Sequence, residues 1–472
     1  MKKTIAVITA LALFALIFPS FSACTVENAA KISRYEIEAE YDGAKKVTAT
    51  HKTTYFNDTD GAVKRIYFHL YARAYESDAV FKATENVREY GKMTLDEVTA
   101  SSAVEYETEG EDKDLLAVVP AEPVLPDESF TVTVKFTLEL PECDYRLGVT
   151  GDKSVHLCDC FPVLCAEGDT SPYYEYGEPF VCDVADYFVT IKAPSDYEAV
   201  SGGAERVISD EKGVKTTSIT QKGARSFGLC LLKKPKAEKI AESTVVRSRF
   251  SLQSLSERAL KSAADAVSTF SRLFGSYPFD ELEIVGSCGE QSFNCSGLYC
   301  VGEKTADGLF DDCVIFGAAR QWWGGAVGFD NVNCAFMSEG LSEYSATLFY
   351  ENNRLYNVKT ADRLSDAGGA YALFVTEMKP KSTALMQRIC NFGTRTEYLF
   401  CTRVKGELFF HSLRELVGDR AFFAALKRFF GDYSNRIASP DCFIAALERE
   451  SGKNVSGYCY GWLNGEDLVK KP

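Results

Sequence analysis

The hydrophobic pattern of this chain changes its period close to residue 235, and this change limits the possible folds more than any other feature. Before it, apolar and polar residues alternate, most clearly over 130–140. A period of two with one polar side is typical of strands in a sheet that buries one face. After it, apolar residues recur at helical spacing over 252–274. The sequence therefore predicts an α+β protein, with a β-rich domain over 25–235 and a mainly helical domain over 236–472.

The first residues have the composition of a bacterial export signal. Two lysines precede an apolar run that ends at Phe18, and Ser22-Ala23-Cys24 follows. The run is too short to span a bilayer comfortably. A small residue before a cysteine resembles the end of a lipoprotein signal. We therefore expect residues 1–24 to be a lipoprotein-type signal peptide, with Cys24 lipidated at the extracytoplasmic face of the cell membrane. The alternative is ordinary cleavage nearby and a secreted product.

Composition and charge exclude two classes of partner. A hydrophobic share of 46% and a charged share of 25% are typical of a soluble globular protein. The net charge of -15 opposes binding to nucleic acid or to an anionic membrane surface. We expect no nucleic-acid partner, and membrane attachment only through the lipid on Cys24.

The sixteen cysteines do not form a recognisable metal motif. Setting Cys24 aside leaves an odd number, so at least one thiol has no partner within the chain. Two groups lie close in sequence, over 158–165 and 288–300, and neither has paired Cys-x-x-Cys spacing. Disulfides are compatible with an exported protein, but their connectivity cannot be read from the sequence.

Two segments of the second half resemble the active-site helices of a peptidase family. They are Phe316-Gly317-Ala318-Ala319-Arg320-Gln321-Trp322-Trp323-Gly324 and Phe336-Met337-Ser338-Glu339-Gly340-Leu341-Ser342-Glu343-Tyr344. They are similar to the aminopeptidase N-like zinc metallopeptidases (gluzincins), and the resemblance extends from about Tyr35 to Trp462. It implies an N-terminal β-sandwich-like, saddle-shaped domain followed by a thermolysin-like domain. The family's helix carries His-Glu-x-x-His-Gln-Trp, and a later Asn-Glu-Gly helix supplies a third zinc ligand.

Placed on that pattern, the zinc chemistry is missing from this chain. The first histidine is replaced by Phe316, the catalytic glutamate by Gly317 and the second histidine by Arg320, while Glu339 remains as the third ligand. Phenylalanine and glycine side chains offer no lone pair, and a protonated guanidinium repels a dication. The family's zinc is therefore not expected here. No two of the chain's histidines lie four residues apart: His51, His69, His156 and His411.

Two further family motifs are also altered. The strand Gly-Ala-Met-Glu-Asn-x-Gly-Leu aligns with residues 291–298, so that Asn294 replaces the glutamate that holds the substrate's amino group, whereas Gly297 is kept. The transition-state tyrosine of the family's Tyr-x-Lys-Gly aligns with Arg403. Two metal ligands, the base, the amine anchor and the oxyanion donor are thus all replaced. The alternative is an error of alignment, against which the position of Glu339 argues.

These replacements lead to two hypotheses about the cleft. The Arg320 guanidinium takes the place of the cation and donates a hydrogen bond to Glu339, because a buried carboxylate without a counter-charge is costly. The loss of one carboxylate and the gain of arginines also favour C-terminal carboxylates or acidic segments as ligands. The predicted peptide-binding residues are Asn294, Gly297, Arg320, Glu339 and Arg403.

The sequence therefore favours a degenerate metallopeptidase-like lipoprotein that binds a peptide or an envelope protein at the cell surface. One alternative is an active zinc aminopeptidase with an unrecognised metal site, built from Glu339, Cys313 or His411. Another is an accessory subunit whose cleft is covered by a transporter or another envelope protein.

Overall fold

The computed structural model describes residues 32–465. The predicted export signal and Cys24 lie outside this range. The fifteen cysteines within it are free thiols. No helix in this part of the chain is long and apolar enough to cross a membrane.

The first half consists almost entirely of strands. In chain order they are β1 (Ser33–Tyr41), β2 (Lys46–Phe56), β3 (Ile66–His69), β4 (Val87–Glu89), β5 (Lys92–Ala100), β6 (Val104–Glu109), β7 (Leu115–Pro120), β8 (Ser129–Glu139), β9 (Glu142–Cys143), β10 (Leu147–Val149), β11 (Val155–Cys158), β12 (Val163–Leu164), β13 (Ala185–Pro194), β14 (Glu198–Ser201), β15 (Ala204–Glu211), β16 (Val214–Ala224) and β17 (Gly228–Leu232). The strand predicted over 130–140 is β8, whose apolar side chains are buried at alternate positions.

These strands form three sheets. A seven-stranded sheet has the order β15-β16-β13-β1-β2-β8-β5, in which only the β1–β13 pair is parallel. A six-stranded sheet has the order β14-β17-β11-β10-β9-β4, and a four-stranded sheet has the order β12-β3-β7-β6. Their inner faces share one hydrophobic core.

The second half begins with two strands and then becomes helical. Its strands are β18 (Lys236–Ala241), β19 (Thr244–Arg249), β20 (Glu281–Ser287), β21 (Phe293–Cys295), β22 (Leu298–Gly302), β23 (Gly328–Phe329) and β24 (Ile437–Ala438). Its helices are α1 (Gln253–Leu273), α2 (Phe310–Ala319), α3 (Asn331–Cys334), α4 (Phe336–Asn352), α5 (Thr360–Met378), α6 (Arg395–Leu399), α7 (Lys405–Val417), α8 (Asp419–Tyr433), α9 (Pro440–Ser451) and α10 (Ser456–Asn464). The predicted α+β class, sheet-rich first and helical second, is confirmed.

A five-stranded sheet of order β18-β19-β20-β22-β21 separates the core of the helices from the core of the first half. Alternate residues of β22 point to opposite faces. Tyr299 and Val301 join the helical core, whereas Leu298 and Cys300 join the core of the N-terminal sheets. This sheet therefore connects the two halves and positions residues 293–302 beside α2.

Helices α4 and α7 cross at a point where each helix carries a glycine, Gly340 and Gly406. A Cβ built at Gly340 would lie 2.7 Å from the Gly406 Cα, so the close approach requires the absence of a side chain. Gly369, on the exposed side of α5, has no described atom within 4 Å of such a Cβ.

We expect Gly340→Ala to lower the free energy of unfolding by about 1–3 kcal/mol, because the added methyl group forces the two helices apart. The matched change Gly369→Ala should raise it by up to about 1 kcal/mol, since alanine is the better helix former. Urea unfolding followed by circular dichroism measures both. Equal shifts of the same sign would contradict this view of the helix crossing.

Candidate functional site

Helices α2 and α4 bring the predicted ligand positions together. Phe316 lies in the last turn of α2, and Arg320 directly follows that helix, its N–H donating to the Phe316 carbonyl at 3.0 Å. Glu339 lies in the first turn of α4. The three side chains are buried, with Arg320 exposed by 2% and Glu339 by 7%. The residues that the sequence assigns to one ligand set thus lie close together in the structure.

Arg320 makes its hydrogen bond to a residue that sequence reasoning did not find. Its Nη2 donates to the Glu178 carboxylate, and its Nη1 lies 3.8 Å from Glu339 Oε1. The second distance is an ion pair but is too long for a hydrogen bond. Nη1 is buried and has no hydrogen-bond partner among the residues that the structure describes. The guanidinium does lie beside Glu339, but the predicted direct hydrogen bond between them is wrong.

Glu178 is the centre of the cluster. It comes from the irregular segment between β12 and β13, in the first half of the chain. Besides Arg320, the backbone N–H of Asn294 donates to its Oε1 at 2.6 Å, and Arg146 Nη2 lies 2.9 Å from the same oxygen. Burial raises the pKa of Glu178, but the adjacent Arg320 and Arg146 outweigh burial, so that its pKa lies below the usual range. Glu178 is therefore an anion near neutral pH.

Glu339 has longer polar contacts than Glu178. The Tyr398 hydroxyl donates to its Oε1 at 3.3 Å, and the nearest guanidinium nitrogen is the Nη1 of Arg320. Burial raises the pKa of Glu339 above its ordinary value, although Arg320 and Arg403 oppose this shift. Glu339 thus shares the Arg320 guanidinium with Glu178, and Arg320 lies closer to Glu178 than to Glu339.

Phe316 and Arg403, which the sequence aligns with the family's first histidine and tyrosine, stack on one another. The Arg403 Cζ lies 3.8 Å from the centre of the Phe316 ring, an ideal distance for a cation–π contact. Its Nε donates to the Glu343 carboxylate, one helical turn after Glu339. Arg363 also donates to Glu343. Together these two cations outweigh burial and lower the pKa of Glu343, so Arg403, Glu343 and Arg363 form an ion-pair network.

The space beside Gly317 is filled by an aromatic ring. A Cβ built at Gly317 would overlap the ring of Tyr299 on β22. Tyr299 is buried, with a pKa raised by desolvation. No larger residue fits at position 317 while Tyr299 keeps this rotamer. The position that the sequence aligns with the family's base therefore has no room for a carboxylate side chain.

Asn294 and Gly297 lie at the turn between β21 and β22, and both form hydrogen bonds with Gln321. The Asn294 side-chain oxygen accepts a hydrogen bond from Gln321 Nε2 at 2.6 Å, and the Gly297 N–H donates to Gln321 Oε1 at 2.7 Å. Gly297 has φ +72, and a Cβ there would lie 2.7 Å from the Gly202 Cα. Both residues are therefore bound to their neighbours, and the Asn294 side chain is directed at Gln321.

Five residues of this site were missed by sequence reasoning: Arg146, Glu178, Tyr299, Arg363 and Tyr398. Glu178 had one available signal, since it is a lone charge between Tyr176-Gly177 and Pro179-Phe180, where an isolated buried charge needs a partner. The other four stand in no recognisable motif, and nothing in their spacing points to a site.

The alternative metal site is not assembled. His411 on α7 pairs with the Tyr344 hydroxyl at 3.3 Å and lies 3.7 Å from Glu415. Over residues 32–465 no group of three His, Cys, Asp or Glu side chains is arranged to hold a metal ion. Cys313, His411 and Glu339 are thus not brought together as a ligand set.

A cavity of about 1390 Å³ lies away from this cluster. Its lining residues come from the loop 58–63, the segment 164–172 and the start of α3, with Arg388 and Ile437. None of the predicted peptide-binding residues lines it.

Comparison with known proteins gives a family for the helical half and a fold for nearly the whole chain. Residues 309–462 match the peptidase family M1 domain. The M1 zinc metallopeptidase from Deinococcus radiodurans superposes with a TM-score of 0.70 at 16% identity, over 94% of this chain and 95% of that enzyme. A glutamate-to-alanine variant of that enzyme, bound to a Tyr-Ser-Ala substrate, gives 0.67 at 15% identity, over 94% and 96%. No curated protein sequence matches the chain. At such low identity the structural likeness establishes the fold alone.

The contact between Gly317 and Tyr299 makes a prediction about restoring zinc ligands. We expect the double variant Phe316→His/Arg320→His to gain zinc, because two imidazoles four residues apart would join Glu339. Adding Gly317→Glu should lower both zinc content and the melting temperature, since the new side chain overlaps Tyr299. Adding Tyr299→Ala as well should recover both.

Metal analysis after dialysis against zinc, thermal unfolding and hydrolysis of aminoacyl-fluorogenic substrates provide the measurements, with the unchanged chain as the control. If Gly317→Glu has no effect on stability or zinc content in the double variant, Tyr299 is not the obstacle.

Proposed function

Since residues 309–462 form a peptidase family M1 domain, we propose that this protein is a catalytically inactive member of the M1 metallopeptidase group that binds peptides or an envelope protein. The observation that carries the proposal is the Arg320 guanidinium, which ion-pairs with both Glu178 and Glu339. A cation fixed to the surviving ligand residue opposes a second cation at the same place. The proposal therefore contains no hydrolytic step.

The donor chemistry of the site does not fit zinc. An aromatic ring, a glycine and a guanidinium stand where the family has two imidazoles and a carboxylate, and a single glutamate cannot make a three-ligand site. Zinc supplied to the unchanged chain should therefore not bind stoichiometrically. Stoichiometric zinc together with hydrolysis of an aminoacyl substrate, in the assay described above, would overturn the inactive assignment.

We propose that the ligand group is a carboxylate. The Glu178 carboxylate already accepts hydrogen bonds from Arg320 and from the Asn294 N–H, and it lies 2.9 Å from Arg146. The C-terminal carboxylate of a peptide has the same chemistry. Arg146 Nη2 and Arg320 Nη1 lie in ion-pair contact with Glu178 and Glu339, but within residues 32–465 neither atom donates a well-directed hydrogen bond, so both guanidinium groups keep donor capacity for a carboxylate.

In the absence of a peptide, the Glu178 carboxylate would occupy the site that the peptide carboxylate takes on Arg320 and Arg146. Its side chain is 16% exposed, whereas Arg320 and Arg146 beneath it are each 2% exposed. It stands on an irregular segment, which can shift at a lower cost than a strand or helix. A peptide carboxylate would replace Glu178 on the two arginines, and the displaced side chain would enter solvent.

A binding experiment with peptides that differ only at the C-terminus tests this ligand class. We expect peptides with a free carboxylate to bind at least about tenfold more tightly than their amides, since a charge-assisted hydrogen bond is worth about 1.5–3 kcal/mol. Glu178→Gln should raise the affinity for the carboxylate peptides, because the internal competitor loses its charge. Fluorescence anisotropy of a labelled peptide library measures both effects.

Glu175→Gln is the matched control, because Glu175 lies on the same segment but accepts hydrogen bonds from Thr84 and Glu85. It should leave the preference unchanged. Equal affinity for carboxylate and amide, or a preference for free basic N-termini, would count against the proposal. A protein partner that copurifies and covers this surface would instead favour the accessory-subunit alternative.

We further propose that a lipid on Cys24 anchors the protein outside the cytoplasm. The support is the sequence alone, namely the apolar run and the small residue before Cys24. Cys24→Ser should move the protein from the detergent phase to the aqueous phase in a phase-partition assay of cell extracts. Detergent-phase protein that is unaffected by Cys24→Ser would require another means of attachment.

A further inference from the structure

Four buried thiols meet where the six-stranded sheet packs on the five-stranded sheet. Cys158 on β11 and Cys230 on β17 come from the first half of the chain, and Cys295 on β21 and Cys300 on β22 come from the second. Their exposed fractions are 2% or less. Each of the two packed sheets therefore contributes two thiols to one interface.

The contacts pair the thiols across the two sheets. Cys230 Sγ and Cys300 Sγ are 4.0 Å apart. Cys158 lies within side-chain interaction range of both Cys295 and Cys230. Gly228, the register partner of Cys158, makes room for this arrangement, since a Cβ there would lie 2.8 Å from Cys295 Sγ. The four sulfurs thus form a row, Cys295, Cys158, Cys230 and Cys300, with a cross-sheet pair at each end.

A disulfide needs its sulfur atoms about 2.05 Å apart. From 4.0 Å, the Cys230 and Cys300 sulfurs reach that distance with a small movement of either side chain. The two end pairs share no sulfur, so both can form together. The remaining contact in the row, Cys158 with Cys230, lies within one sheet and would leave Cys295 and Cys300 unpaired.

We propose that Cys230–Cys300 and Cys158–Cys295 form disulfides that fasten the N-terminal sheets to the M1-type domain when the chain folds under oxidising conditions. The oxidant is a small-molecule or protein disulfide. One cysteine thiolate attacks it and releases one thiol, giving a mixed disulfide. The second cysteine then displaces the other thiol, so that each new S–S bond consumes one external disulfide and yields two thiols.

The burial of the four sulfurs determines when the reaction occurs. Exchange requires an in-line approach of the attacking thiolate, which the closed interface does not allow. The bonds therefore form while the two sheets are still docking. Because each links residues far apart in the chain, 70 positions for Cys230 and Cys300, the bonds restrict the unfolded state strongly.

The test compares the same mature chain produced in an oxidising bacterial periplasm and in a reducing cytoplasm. Free thiols are alkylated under denaturing conditions, and peptides are mapped by mass spectrometry without reduction. We expect four fewer alkylated cysteines in the periplasmic protein and two linked peptide pairs, Cys230 with Cys300 and Cys158 with Cys295. The melting temperature of that form should be higher by about 5 °C and should fall on reduction.

The double variant Cys230→Ala/Cys300→Ala should lose one linked pair and part of the temperature shift. Cys390→Ala, at an exposed cysteine, is the control and should change neither. Full alkylation of all four thiols in the periplasmic protein, or a Cys158–Cys230 link, would overturn the proposal. Because the mapping uses the unaltered chain, the result does not depend on the folding of a variant or on the proposed binding role.

Discussion

The ion pairing of Arg320 is the interaction on which the rest of the site depends. Its guanidinium joins Glu178 from the N-terminal sheets to Glu339 at the start of α4, and all three side chains are largely removed from water. Removing charges from water is costly, and the cost is offset only when each charge has a close partner. Arg146 provides a second cation at 2.9 Å from Glu178. The cluster is therefore stable as a set, and the loss of one member would leave an uncompensated buried charge.

The replaced residues also support one another through packing. The Arg403 guanidinium stacks on the Phe316 ring and forms an ion pair with Glu343. The ring of Tyr299 packs against Gly317. Close packing of this kind leaves little space for a water or a metal. The segment aligned with the family's zinc-binding helix is thus part of the core, held by ion pairs on one side and by an aromatic ring on the other. Of the carboxylates Glu178, Glu339 and Glu343, Glu178 is the most exposed, at 16%.

Periodicity predicted the architecture well, because it depends on neighbours in the chain. The alternation around 130–140 became β8, and the helical spacing over 252–274 became α1. The family resemblance aligned Phe316 and Arg320 with one helix, and in the structure Phe316 lies in the last turn of α2 with Arg320 directly after it. The partner of Arg320 was not predictable in this way, because Glu178 is 142 positions away and belongs to an irregular segment. Likewise, nothing in the alternation of β22 indicates that Tyr299, and not Cys300, faces Gly317.

The sequence by itself determined which chemical groups are available: no imidazole at Phe316, no carboxylate at Gly317, and a permanent cation at Arg320. Side-chain chemistry is a property of the residue and needs no fold to be read. Only the tertiary structure decided which of these groups meet, through the packing of the β20–β22 region against both cores. It gave Arg320 its hydrogen bond to Glu178 and the longer ion pair to Glu339, and it placed Tyr299 against Gly317. Distances between distant segments depend on how whole sheets and helices pack, and that information is not contained in local spacing.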